Sequence, residues 1–133
     1  MKAFFDSIKS RYDGSNGNSL RALNPGGLWR ERAPQKQAFP FIVMHDLGGG
    51  QHDTFGEYIN HMTVQFTAYD DSPSSATIEG IAAALMALFD WCALTISGYT
   101  HIVMQRTFQQ SFWNDEQQIW QYVVHYYIEA QKT

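Results

Sequence analysis

Residues 58–92, YINHMTVQFTAYDDSPSSATIEGIAAALMALFDWC, change their hydrophobic period partway along. From Tyr58 to Tyr69 the residues Met62, Val64, Phe66 and Ala68 alternate with His61, Thr63, Gln65 and Thr67, the period of two expected of a strand with one covered face. Asp70-Asp71-Ser72-Pro73 interrupts the pattern, with Ser72 read as a helix N-cap and Pro73 as the first helical residue. From Ser74 to about Trp91, Ile78, Ile81, Ala82, Leu85, Leu88, Phe89 and Cys92 then fall on one helical stripe. A half-covered strand followed by a helix with one apolar stripe puts helix against sheet, which selects the α+β class.

Working outward, Phe4, Phe5, Ile8 and Tyr12 give Ala3 to Tyr12 the spacing of a short docked helix, and Leu20 to Leu23 adds a further turn. Between them Asp13-Gly14-Ser15-Asn16-Gly17-Asn18-Ser19 has the composition of a flexible connection. Asn24-Pro25-Gly26-Gly27 breaks the chain before a short strand from Leu28 to Arg32. A strand from Pro40 to Leu47 puts Phe41, Val43 and His45 on one face and Ile42 and Met44 on the other. Two more strands, roughly Thr100 to Ser111 and Gln118 to Glu129, flank a turn at Asn114-Asp115-Glu116. In the last of them Trp120, Tyr122, Val124, Tyr126 and Ile128 alternate with Gln121, His125 and Glu129. Together these predict a single domain over residues 1–133: an α+β two-layer sandwich whose antiparallel or mixed β-sheet carries the long central helix and the short N-terminal helix on one face.

A length of 133 residues suffices for a real core without disulfide or metal staples, and 44% hydrophobic with 15% aromatic residues is a globular composition. The nine Lys and Arg are scattered through a chain of net charge −4, which argues against binding that depends on neutralising phosphates. The lone Cys92 fits a small inert thiol on an apolar stripe and a reducing compartment. No segment reads as a leader or a membrane span, so the expectation is a protein made and used in solution.

Candidate chemistry centres on His45-Asp46-Leu47-Gly48-Gly49-Gly50-Gln51-His52-Asp53. Four residues of metal-ligand type stand there, yet a triple glycine holds ligands poorly and the spacing matches no tight metal signature. A phosphate cradle would need a helix N-terminus and a Lys after the glycines, and neither follows. The favoured reading is a loop joining two antiparallel strands, whose shortening at Gly48 to Gln51 would spare the fold. Ser97 lacks the context of a nucleophile elbow, and His61, His101 and His125 lie on strands where packed or surface histidines are usual. No enzyme activity and no cofactor are expected. Phe108, Phe112, Trp113, Trp120, Tyr122, Tyr126 and Tyr127 crowd one hairpin beyond the needs of a small core, which suggests a face covered by a neighbouring copy.

The order of these features resembles the tail-completion, or tail-terminator, proteins of long-tailed bacteriophages and prophages. Arg32-Ala33-Pro34-Gln35 with Phe39-Pro40-Phe41-Ile42-Val43 is similar to that family's R-A-P and P-Y-I-V signature. The stretch Thr63 to Asp70 resembles its V-Q-F-x-A-Y-D strand, and Trp120 to Tyr126 its W-Q-Y-V-V-x-Y strand. The resemblance implies a non-catalytic virion protein in the tail-neck region, assembled in the host cytoplasm. It would form a homo-hexameric ring that caps the tail tube, ends its polymerisation and presents a surface to the head-tail connector or stopper. DNA would pass through the lumen without specific binding, and no membrane would be involved. Asp46, Gly48, Gly49, Gly50, Gln51, His52, Asp53, Trp113 and Asn114 are the expected assembly contacts. The alternatives are another connector or tube component of the same particle, or a small metal- or ligand-binding domain using the His45 to Asp53 segment.

Overall fold

Each segment with a period of two forms a strand, and each apolar stripe a helix. The computed structural model describes residues 2–54 and 57–133, with the backbone alone at 52–54 and 57. Helix α1 (Lys2–Asp13), a 3-10 turn (Ser15–Gly17) and α2 (Asn18–Leu23) precede strands β1 (Leu28–Arg30), β2 (Phe41–Thr54) and β3 (Glu57–Asp70). Helix α3 (Ala76–Phe89) and strands β4 (Tyr99–Asn114) and β5 (Ile119–Lys132) complete the chain. The five strands form one mixed sheet in the order β1-β2-β3-β5-β4, parallel between β1 and β2 and antiparallel elsewhere.

The core follows from parity. Ile42 and Met44 of β2, Met62, Val64, Phe66 and Ala68 of β3, and Val124, Tyr126, Ile128 and Ala130 of β5 share one buried cluster with Phe4, Phe5 and Ile8 of α1 and Ile78, Ile81, Leu85, Leu88 and Phe89 of α3. Phe66 stacks on Phe89 at 5.0 Å, and Tyr126 meets both rings edge-on, fixing α3 over the centre of the sheet.

Three expectations change. The polar stretch 13–19 is ordered helical structure rather than a flexible connection. Arg21 reaches back to donate to the carbonyls of Tyr12 and Gly14, satisfying acceptors that the end of α1 leaves open. Gly17 is buried against the end of α1, where a Cβ would overlap the Tyr12 carbonyl, and Leu20 locks the turn into the core. The residue before α3 is Ser75, without a side-chain cap, while the Ser72 hydroxyl donates to Asp70 at 3.2 Å, so Ser72 is no N-cap.

The third correction concerns the glycines. Asp46 to Asp53 is not a loop but the second half of β2, paired with β3 through Gly49↔Met62, Gly50↔His61 and on to Thr54↔Glu57. A bulge at Leu47 shifts the register between Asp46 and Gly48, and the Asp46 carboxylate accepts the Gly48 N–H at 2.7 Å. Side-chain alternation fades after Met44, but a backbone ladder needs only a partner strand, and β3 supplies one to its end. Removing Gly48 to Gln51 would therefore delete ladder residues, not spare slack.

Candidate assembly surface

The sheet face away from α3 is built from the odd positions of β2, β3 and β5. The register aligns three rows across it: Phe41, Tyr69, Gln121 and Phe112; Val43, Thr67, Val123 and Gln110; His45, Gln65, His125 and Phe108. Phe41 stacks on Tyr69 at 5.1 Å, Gln65 bonds His125 Nε2 at 3.0 Å, and Phe108 lies 4.8 Å from the His125 ring. Not one Lys, Arg, Asp or Glu stands in these rows. Burial pushes the His125 imidazole below the usual histidine value and the Tyr69 phenol above its own, so neither contributes charge near neutrality.

On the β1–β2 side of the sheet the connection 31–40 folds back over this face. Its start is held by Glu31, whose N–H donates to Met44 O at 2.8 Å and whose carboxylate lies 3.8 Å from His45 Nδ1, and its end enters β2 through Phe39 and Pro40. Between the connection and the sheet lies a groove of about 400 Å³, walled by Phe39, Phe41 and Tyr69 and rimmed by Arg32 and Lys36. The opposite margin is β4. The Trp91 N–H donates to Met104 O at 3.1 Å and Leu94 and Ile96 are buried, so the segment after α3 runs beside the first part of β4. Beyond it, residues 105–112 are exposed, and Phe108 and Phe112 stand open on the β4–β5 hairpin. The hairpin is fastened at its base: Arg106 pairs with Asp90 at 3.3 Å, and Asp90 accepts from the fully buried Tyr126 hydroxyl at 2.6 Å. Burial first, then the hydrogen bond to Asp90, push that phenol far above its ordinary value.

The expected contact residues divide between opposite ends of the sheet. Asp46 to Asp53 run toward the β2–β3 end, where Asp53 is level with Tyr58, while Trp113 and Asn114 lie at the other end, level with Trp120 and Ile119. Trp113 packs edge-on against Trp120 at 5.1 Å and donates to Asp115 at 2.8 Å, and Asn114 accepts from the Gln117 N–H at 3.1 Å. These two hold the hairpin turn together. The His52 and Asp53 side chains lie outside the described residues. Among the described residues, no three His, Cys, Asp or Glu side chains converge on a metal-sized site. Cys92 is buried against Met104, and burial raises its thiol above the usual range. Reading the sequence missed the groove, the exposed Tyr58 at the β2–β3 end and the open Trp91. The groove depends on strand register and on a returning connection, which no local pattern signals.

A family model described as "Tail completion protein gp17" matches residues 15–128. Among solved structures, a chain of the "Virion of native gene transfer agent (GTA) particle" shares the fold with a TM-score of 0.77 at 12% identity, covering 93% of this chain and 90% of that one. A second structure gives a TM-score of 0.55 at 14% identity over 99% of this chain and 94% of its own. No curated protein matches.

Proposed function

The chain belongs to the tail completion protein gp17 family, and from that premise we propose that it ends the phage tail tube as a six-membered ring at the head-proximal end and offers the docking surface for the head connector. The family match over residues 15–128 carries the reading. The geometry supports it in kind. Ring closure by identical copies needs a heterologous contact between two different patches of one chain. The β1–β2 side and the β4 margin are two such patches, unlike in shape and on opposite sides of the sheet. Termination needs a ring that accepts the last tube layer with one end and cannot accept another copy of itself on the other. The two sheet ends differ in composition, which supports such a division: one carries Tyr58 and the last residues of β5, the other the β4–β5 turn and the acidic Asp71, Asp115 and Glu116.

The test is assembly without the protein. Tubes formed in its absence should grow to uncontrolled length and fail to join heads, and adding the purified chain should restore both length and joining. Microscopy should show a ring of six at the head-proximal tip. Tails of normal length in the absence of the protein would discard the terminating role.

A further inference from the structure

We infer that the β4–β5 hairpin of one copy docks its Phe108 and Phe112 into the Phe39, Phe41 and Tyr69 groove of the next copy, and that this contact closes the ring. The inference rests on the ring reading and specifies its interface. Three observations bring hairpin and groove together. First, Phe112 shares a row with Phe41 and Tyr69, and Phe108 shares a row with His45, so side-by-side sheets present the phenylalanines at the height of the groove. Second, both partners are apolar and open: Phe108 is 42% and Phe112 40% exposed, and the groove of about 400 Å³ is large enough for an aromatic side chain. Third, the charges complement each other. The turn beyond Phe112 carries exposed Asp115 and Glu116, whereas the groove is lined by exposed Arg32 and Lys36 against one acid, Glu31.

The two surfaces lie on opposite margins of one sheet, so a copy cannot fill its own groove. Each copy gives a hairpin to one neighbour and takes one from the other, which is the head-to-tail contact a closed ring requires. The Arg106–Asp90–Tyr126 contacts hold the hairpin base against α3, so the hairpin is ordered before it docks.

Cysteine pairing between two full-length chains of different tag size tests the contact. One chain carries Phe112→Cys and the other Phe39→Cys; the native Cys92 is buried and stays unreactive. Oxidation of the mixture should give mainly the mixed disulfide dimer, with little dimer from either chain alone. Glu116→Lys on the hairpin chain should reduce the mixed product, and Lys36→Glu on the groove chain should restore it. Should Phe39→Cys not fold as the parent does, Ala33→Cys on the same wall takes its place. Mixed product no greater than like-with-like product would overturn the inference, including the case in which a tube or connector protein occupies the groove instead. Rings seen at tail tips without mixed dimers would discard this interface and keep the ring. Mixed dimers with no ring at the tips would keep the contact and discard the ring.

Discussion

Asp90 is the residue on which the hairpin base depends. It accepts from a hydroxyl that has no access to water and pairs with the Arg106 guanidinium, so it serves two donors from two strands. Tyr126→Phe removes one donor and leaves Asp90 its cation, a loss of about 1 kcal/mol. Asp90→Ala leaves the Tyr126 hydroxyl buried without its acceptor and frees Arg106, a loss of about 1–3 kcal/mol. Denaturant unfolding of the two variants should rank them in that order. The histidines make a second test at this scale. Burial lowers the His101 and His125 values from 6.5, so the unfolded chain binds more protons than the folded one once the pH drops below that value. Stability is then full above the ordinary histidine value and is lost as the pH falls through and below it. The unfolding midpoint should drop between about pH 7.5 and about pH 5.5, and His125→Gln should flatten that slope. An unchanged slope in the variant would remove His125 from the account.

Among the elements, β3 and α3 were legible because their side chains report their environment directly. Met62, Val64, Phe66 and Ala68 face the core at every second position, and the α3 stripe from Ile78 to Phe89 is buried throughout. The far half of β2 was not legible, because glycines carry no side chain to alternate and their composition is that of a turn. Its strand character comes from β3, a partner that local composition does not announce. That difference predicts unequal glycines. A Cβ at Gly49 would overlap the His61 carbonyl and press on the Met62 backbone, so Gly49→Ala should destabilise by about 1–3 kcal/mol. Gly48 has φ +120, and Gly48→Ala should lose a similar amount, about 1–3 kcal/mol, to backbone strain. At Gly50 the nearest atoms are those of the His61 ring at 3.4 Å, so Gly50→Ala should change stability by less than about 1 kcal/mol. Thermal melts of the three variants check the order. Three equally mild melts would return the segment to a loop. The expected contacts Trp113 and Asn114 were legible only as a turn, and their distance from Asp46 to Asp53 follows from the antiparallel register, which one strand cannot reveal alone.

At the scale of the whole molecule, the proposed terminating role requires unlike partners to be joined at the two ends of the sheet, and this chain places those ends far apart along the strands. The end holding the β4–β5 turn also holds the β3–α3 connection, so Asp71 and Asn114 share it. The end holding the β2–β3 connection also holds the last residues of β5, so Tyr58 and Gln51 border Lys132 and Thr133 around one cavity. With the inferred ring contact at the margins, substitutions at the ends should leave ring order intact. Asp71→Lys with Asn114→Ala alters one end, and Gln51→Ala with Tyr58→Ala the other. Each pair should remove one of the two activities: one should give tails of normal length that carry no heads, the other overlong tubes. Microscopy of assembled tails measures length and joining in the same field, and native mass spectrometry measures ring order. Which pair gives which defect assigns the ends to tube and connector. If both pairs lose both activities with rings intact, the ends do not divide the work, and tube and connector must meet the same surface of the ring.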